Sequence, residues 1–166
     1  MAKAANLETL FEEGLRDVLY AERKAIQSYR KILRAVQSEE LKAAIEKHRD
    51  ETEEQVERLN RVFEIAGKRA RAKTCPSMDG MIEEAEEMME EYKDSPALDA
   101  AILATAQAME HYEISRYGTL AAWARQLGMN DAEKLLRETL EEEKRTDELL
   151  NQLAESTLNA AAEKAA

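Results

Sequence analysis

The chain of 166 residues carries a formal net charge of −11, and it contains two prolines, five glycines and few aromatic residues. Its acidity repels nucleic-acid phosphates and anionic membranes, so neither is expected as a partner, whereas metal cations and basic proteins remain compatible. No apolar run approaches the roughly 18 to 20 residues that span a bilayer. The start MAKAANLETLFEE lacks a signal-peptide core, and the lone Cys75 suits a reducing compartment. We therefore expect one cytoplasmic, all-α domain over residues 1–166.

Helix-start and helix-stop residues divide this domain into five predicted helices. Suitable N-cap residues stand at Asn6, Ser38, Ser95 and Asn130. Pro96 would follow one of them at the first helical position, and Glu133 would complete a capping box with another. Gly67 and Gly128 are suited to helix ends. The predicted helices cover about residues 6–36 (α1), 39–66 (α2), 78–93 (α3), 96–127 (α4) and 131–157 (α5).

The inward face of α1 is apolar except at one position, Glu22. Its apolar members recur at the alternating spacing of four and three that a buried helix face requires, and they are Phe11, Leu15, Val18, Ala25, Tyr29, Ile32 and Val36. Either Glu22 points into the core as a ligand, or this assignment of the inward face is wrong and Glu22 lies at an exposed edge of the helix.

The inward face of α2 is apolar at both ends and polar for two turns in the middle. His48, Thr52 and Gln55 form this polar segment. Because α1 and α2 are joined by a short connection, we expect an antiparallel hairpin in which the segment lies level with Glu22. His48 and Glu51 are an i, i+3 pair, so both are candidate ligands on α2. The alternative for His48 is a hydrogen-bonded core histidine.

The connection from α2 to α4 is long enough to cross the whole bundle and carries α3. Its first part, KRARAKTCPS, is typical of a solvated loop, with docking of an acidic partner as the alternative. Cys75 has no neighbouring histidine to activate it and is interpreted as unreactive. The methionines of α3 are expected to cover the flank of the bundle or a partner subunit. We expect a homodimer because Met88 and Met89 would otherwise be exposed.

The central stretch of α4, AQAMEHYEISRYG, places acids within an apolar helix face. Glu110, Glu113 and Tyr117 fall on that face, so two carboxylates one turn apart point into the core. His111 points about 100° away from Glu110, so we expect it either to hydrogen-bond a ligand from behind or to lie at the surface. An unpaired buried carboxylate costs several kcal/mol, so these two acids require a counter-charge at the same place.

The fourth long helix, α5, also turns an acid inward. Glu143 lies on its apolar face, and Asp147 follows one turn later, adjacent to the seam. Tyr29 and Tyr117 each follow a glutamate by seven residues on one helix face. Either they donate to the carboxylates or they are ordinary aromatic packing. All four long helices therefore bring polar side chains inward at mid-height.

Converging carboxylates in a dry interior indicate bound metal ions. Two divalent or trivalent cations neutralise acids that could not otherwise share the space. A site rich in carboxylates and free of thiolates suits iron or manganese better than zinc or copper(I). The candidate ligands are Glu22, His48, Glu51, Glu110, Glu113, Glu143 and Asp147. Thr52, Gln55 and Thr146 are expected to be their hydrogen-bonding neighbours.

Five segments resemble the ferritin-like stress-response proteins of the YciF type. They are YAERKAI, HRDETEEQVERLNRVFE, CPSMDGMIEEAEE, MEHYEISRYGTLAAWARQLG and TLEEEKRTDELL. The resemblance covers nearly the whole chain. It implies a ferritin-like four-helix bundle, in which the long crossover between the second and third long helices carries a short extra helix.

A more distant similarity to rubrerythrins and manganese catalases implies a ligand pattern. That pattern has a glutamate on each of α1 and α4 and Glu-x-x-His on each of α2 and α5. The residues that match it are Glu22, Glu110, Glu113 and Glu143. Thr52 and Gln55 stand at the Glu and His positions of α2, and Thr146 replaces the second His. This departure argues against peroxidase or catalase activity, and it leaves the α2 ligand open between Glu51 and Glu54, with Glu51 favoured.

These patterns support two main hypotheses. The first is a di-iron or di-manganese carboxylate protein that handles iron, oxygen or peroxide during stress, with enzyme activity left open. The second is a non-enzymatic helical protein that acts by interaction without a functional metal centre. A third, ferritin-type storage, would need a closed cage.

Overall fold

The computed structural model describes residues 5–164, and the expected all-α fold is confirmed. The helices are Leu7–Ala35 (α1), Glu39–Ile65 (α2), Pro76–Glu91 (α3), Leu98–Gln126 (α4) and Asn130–Leu153 (α5). After α5 the chain continues through a π-type turn at Ala154–Leu158 into a short last helix, α6 (Asn159–Glu163). The single domain predicted over 1–166 extends beyond the described residues at both ends. Among residues 5–164, no helix combines the length and apolar character that crossing a bilayer requires.

The four long helices form a bundle of two antiparallel hairpins. One hairpin is α1 with α2 and the other is α4 with α5, and they pack so that α1 contacts α4 and α2 contacts α5. The crossover from α2 to α4 runs the length of the bundle, and α3 packs across α1 and α4 on its flank. The predicted four-helix bundle with a helix in its long crossover is therefore confirmed.

Two apolar clusters occupy opposite ends of the bundle. One combines the starts of α1 and α5 with the ends of α2 and α4, and it includes Phe11, Leu15, Leu59, Val62, Leu120 and Leu136. The other combines the opposite ends of the same helices and includes Tyr29, Ile32, Leu41, Ile45, Ile102 and Leu150. Full burial of such a side chain contributes about 1.5–3 kcal/mol. The polar layer lies between these two clusters, so hydrophobic packing on both sides fixes its position.

Several predicted helix ends are confirmed. Asn6 Oδ1 accepts a hydrogen bond from the Thr9 backbone amide at 3.0 Å, as an N-cap does. Ser38 caps α2 in the same way. Gly67 and Gly128 have φ angles of 65° and 75°, the left-handed conformation that glycine adopts without strain at a helix end.

Three predicted helix starts are wrong. Helix α3 begins at Pro76 rather than at residue 78, because the buried Cys75 Sγ accepts from the Met78 amide at 3.4 Å. Helix α4 begins at Leu98, two residues after Pro96, because the chain first makes a turn through residues 92–97. Asn130 is already the first residue of α5 and does not cap it.

The crossover is held to the bundle more closely than its sequence suggests. Cys75 is buried, and its Sγ lies 3.0 Å from the hydroxyl of Tyr112, which donates to Asp17 at 2.6 Å. Met89 is buried among the apolar residues of the second cluster, which corrects the expectation that it is exposed. Covering Met89 therefore requires no partner, and the homodimer stays a prediction that light scattering can test against a chain mass of 18.8 kDa.

Candidate metal centre

Three of the four long helices bring four side chains together in the polar layer. One ligand atom from each of His48, Glu110, Glu113 and Glu143 lies within 4.8 Å of the others, and all four side chains are buried. His48 comes from α2, Glu143 from α5, and the two remaining acids from α4. His48 Nε2 lies 2.9 Å from Glu110 Oε1 and 3.8 Å from Glu143 Oε2. The cluster has the residue types and the spacing of a metal site.

Glu22 extends this cluster from α1. Its side chain is only 1% exposed, so the alternative in which Glu22 lies at an exposed edge is wrong. One oxygen, Oε1, accepts a hydrogen bond from the buried Tyr117 hydroxyl. Its other oxygen, Oε2, is buried without a hydrogen-bond partner within residues 5–164. Glu113 lies close enough to Glu22 that its pKa is raised well above its ordinary value, first by burial and then by the charge of Glu22.

Many polar atoms of this layer have no hydrogen-bond partner among the residues that the structure describes. They are Glu22 Oε2, His48 Nε2, Gln55 Oε1, Glu110 Oε2, Glu113 Oε1 and both carboxylate oxygens of Glu143. His48 Nε2 is at ion-pair distance from Glu110 but lacks the alignment of a hydrogen bond. Native interiors leave few buried polar atoms unpaired, so such a concentration indicates a missing common partner.

The charge of the layer is equally unbalanced. Four carboxylates are buried there, and in the described part of the chain no lysine or arginine is buried with them. Burial raises the pKa of Glu110 to about 8, and burial with the charge of Glu143 raises that of Glu22 to about 8. Burial also raises the pKa of Glu143 well above its ordinary value. A protein fold tolerates such a group of acids when cations or protons neutralise it.

His48 is oriented by its second ring nitrogen. Nδ1 lies 3.2 Å from Thr146 Oγ1, and the ring packs edge-on against Tyr29 with centroids 5.6 Å apart. When Nδ1 donates to the threonine, the Nε2 lone pair is free for a cation. Thr146 is thus a supporting residue for His48, in agreement with the predicted hydrogen-bonding role.

Two predicted ligands lie apart from both the group of four and Glu22. Glu51 is partly exposed on α2, and its Oε1 lies 3.2 Å from Lys47 Nζ. Asp147 is also partly exposed and lies 3.0 Å from His111 Nε2, a side chain that is largely in solvent. The structure therefore brings together five of the seven candidate ligands and leaves these two at the surface nearby.

Removing the Tyr117 hydroxyl is expected to destabilise the protein. Tyr117→Phe keeps the buried ring but leaves Glu22 Oε1 without its donor, which costs about 1–3 kcal/mol. Thermal unfolding of the metal-free variant, followed by circular dichroism, measures the loss. Tyr92→Phe, at the end of α3, is the control and is expected to stay within about 0.5 kcal/mol of the parent. An unchanged stability of Tyr117→Phe would contradict the role given to this hydrogen bond.

The donor set fits iron or manganese. It offers carboxylate oxygens and one imidazole nitrogen and no thiolate, which is the preference of these metals rather than of copper(I). The residues that would hold the ions are His48, Glu110, Glu113 and Glu143, with Glu22 completing the set on the α1 side.

The fold and this cluster define a class of helical-bundle proteins with an acidic, histidine-containing centre in the core. Within that class, the chain belongs to the family described as domain of unknown function DUF892, whose model matches residues 6–163.

Known proteins of similar sequence and structure agree with this assignment. The chain is 43% identical over 158 residues to protein YciF of Escherichia coli K12, covering 95% of each chain. The crystal structure of the E. coli stress protein YciF matches with a TM-score of 0.89 at 42% identity, over 94% of this chain and 99% of that one. YcfI, a candidate structural protein from Rhodopseudomonas palustris, matches with a TM-score of 0.86 at 41% identity, over 90% and 96%. The resemblance to YciF-type proteins is confirmed.

Proposed function

We propose that this protein is a di-metal carboxylate protein, with iron or manganese, that handles iron, oxygen or peroxide during stress. The observation that carries the proposal is a charge imbalance in the core. No lysine or arginine in the described part of the chain is buried, whereas four glutamates are: Glu22, Glu110, Glu113 and Glu143. Two divalent cations carry four positive charges, which match four ionised carboxylates. The stress role is extended from the E. coli stress protein YciF.

Each residue of the centre has a part that follows from its contacts. Glu110, Glu113 and Glu143 would bind the ions with His48, and Thr146 keeps the imidazole oriented. When bound, iron or manganese supplies Lewis acidity and, for iron in particular, electron transfer.

The surroundings of the centre control protons and water. The Tyr117 hydroxyl donates to Glu22, so this pair holds a proton at the edge of the centre. Apolar clusters lie on either side of the centre, and its five side chains are buried. Electrostatic interactions with the buried acids are therefore stronger than they would be in water.

Metal content is the direct test of the proposal. Metal-free protein titrated anaerobically with Fe²⁺, and separately with Mn²⁺, is expected to bind about two ions per chain, as the charge match requires. Glu22→Ala, Glu110→Ala and Glu143→Ala are expected to reduce this number. A folded parent protein that binds neither ion would contradict the proposal and support the second candidate, a non-enzymatic structural protein, which the description of the Rhodopseudomonas relative favours.

Metal binding is also expected to release protons at pH 7. Glu22 and Glu110, with pKa values raised to about 8 by burial, are mostly protonated at pH 7 in the absence of metal and must ionise to bind it. The number of protons released per Mn²⁺ is therefore expected to fall as the pH rises through about 8. An indicator dye in weakly buffered solution measures the release. Release that does not vary between pH 6.5 and 9 would contradict this prediction.

A further inference from the structure

A small cavity adjoins the candidate metal centre inside the bundle. It lies between the polar layer and the second apolar cluster, and all four long helices contribute to its wall. His48, Glu110 and Thr146 form the part of the wall that belongs to the polar layer. The rest of the wall is Tyr29 and six apolar side chains, which are Ile32, Ala44, Ile45, Ala106, Met109 and Leu150. Two candidate ligands of the centre therefore border the cavity directly.

The size of the cavity limits what it can hold. The centre of a water-sized sphere can move within about 10 Å³ of it, which is close to the lower limit for holding one small molecule. A diatomic molecule suits such a space, and an organic substrate is too large for it. Alanines at two positions of the wall, Ala44 and Ala106, leave this space open, because a longer side chain at either position would extend into it.

The chemistry of the wall favours a molecule that makes no hydrogen bonds. Thr146 Oγ1 already lies 3.2 Å from His48 Nδ1, and His48 and Glu110 belong to the group that would bind the ions. The Tyr29 hydroxyl alone provides fewer partners than the two O–H groups of hydrogen peroxide require. Burying a hydroxyl without a hydrogen bond is unfavourable, whereas apolar cavities accept apolar gas molecules. The cavity therefore favours O₂ over hydrogen peroxide.

We propose that this cavity is an O₂ pocket on the His48–Glu110 side of the centre, and that Ala44 and Ala106 determine its specificity by leaving it open. The inference rests on the proposed di-metal function and names the oxidant that this function takes. It also gives the direction of approach, because the pocket reaches the centre from the second apolar cluster.

Metal-free protein under O₂ pressure tests the pocket in the absence of any ion. O₂ is paramagnetic and accelerates the relaxation of nearby methyl groups, which methyl NMR measures against N₂ at the same pressure. Methyl groups of the cavity wall, in Ile32, Ile45 and Leu150, are expected to relax several times faster under O₂. Methyl groups of Leu59 and Val62, buried in the opposite apolar cluster, are the control and are expected to change little.

Filling the cavity provides a second test. Ala106→Leu is expected to abolish the faster relaxation and, in Fe²⁺-loaded protein, to slow oxidation by O₂ about 10-fold, as extra methyl groups do in a tight apolar pocket. Oxidation by hydrogen peroxide is expected to keep the parent rate. Ala108→Leu, the same change at an exposed position of α4, is the control and should behave as the parent in every assay.

Ala44→Val repeats the test from α2 and is expected to have the same effects as Ala106→Leu. Thermal unfolding of each metal-free variant verifies that it is folded, and anaerobic Fe²⁺ titration verifies that it binds as many ions as the parent.

The outcomes separate the two proposals. Equal relaxation in the two apolar clusters under O₂ would overturn the pocket and leave the di-metal function intact. Equal slowing of both oxidants by Ala106→Leu would also overturn it, because the substitution would then act on the centre itself. A folded parent protein that binds neither Fe²⁺ nor Mn²⁺ would overturn the proposed function and, with it, the role of the cavity as an O₂ pocket.

Discussion

Glu110→Gln is expected to stabilise the metal-free protein and to abolish high-affinity metal binding. Burial raises the pKa of Glu110 to about 8, so at pH 7 folding forces this carboxyl to take up a proton that it lacks in the unfolded chain. A rise of one pKa unit corresponds to about 1.4 kcal/mol, which gives a gain on the order of 1–3 kcal/mol for the neutral amide. The amide keeps the shape of the side chain but cannot neutralise a cation.

The stabilisation expected from Glu110→Gln depends on pH. A carboxyl with a raised pKa in the folded state destabilises the protein increasingly as the pH rises from its ordinary value of 4.5 to about 8. The advantage of Glu110→Gln should therefore be absent near pH 4, grow through this window and become constant above it. Urea unfolding at several pH values, in the presence of chelator, measures it.

A surface variant provides the comparison. Glu141→Gln changes the same functional group at an exposed position of α5, where Oε1 lies 2.8 Å from Lys144 Nζ. It is expected to leave both stability and metal content unchanged. If Glu110→Gln destabilised the metal-free protein and still bound two ions, Glu110 would be a structural residue and not a ligand.

Metal binding is expected to raise the unfolding temperature of the parent protein by more than any single substitution. An ion at about 1,000 times its dissociation constant stabilises the folded state by about 4 kcal/mol per site. For a chain of this length, that corresponds to about 8–16 °C. Differential scanning calorimetry of the metal-free protein, with and without Mn²⁺ or anaerobic Fe²⁺, measures the shift, and excess chelator should reverse it.

Two variants distinguish the centre from surface binding. Glu143→Gln should lose the shift, because Glu143 is buried within the cluster. Glu51→Gln should keep it, because Glu51 is partly exposed and paired with Lys47. The same shift in both variants would locate the ions on the acidic surface instead of in the core.

The bundle and the level of its polar layer could be predicted from the sequence. Glu22, Glu110 and Glu143 interrupt faces that are otherwise apolar, and helix periodicity alone turns them inward. The short connections within each hairpin then place these acids at one height. For these residues, the helix face that periodicity predicts to be inward is the face that packing between the helices buries.

The choice between His48 and Glu51 could not be made in this way. The two residues are separated by about 60° around the helix axis, so a small rotation of α2 decides which one faces the core. The structure buries His48 and leaves Glu51 partly exposed. Packing between helices sets that rotation, and periodicity does not specify it to this precision.

Contacts between distant segments could not be predicted from the sequence either. The Tyr117 hydroxyl on α4 donates to Glu22 on α1, and Glu142 on α5 binds the Gln55 amide on α2. Likewise, the burial of Met89 depends on how the crossover packs across the bundle. These features need the arrangement of whole helices, which spacing along one helix does not contain.

The polar layer draws on both hairpins, with Glu22 and His48 from one and Glu110, Glu113 and Glu143 from the other. Neither half of the molecule therefore holds a complete set of donors. In the proposed metal-bound state, an ion trapped between the halves escapes only after they part. The rate at which the ion exchanges with solution would then be limited by the rate at which the two hairpins separate. Slow exchange would show that the hairpins stay packed together.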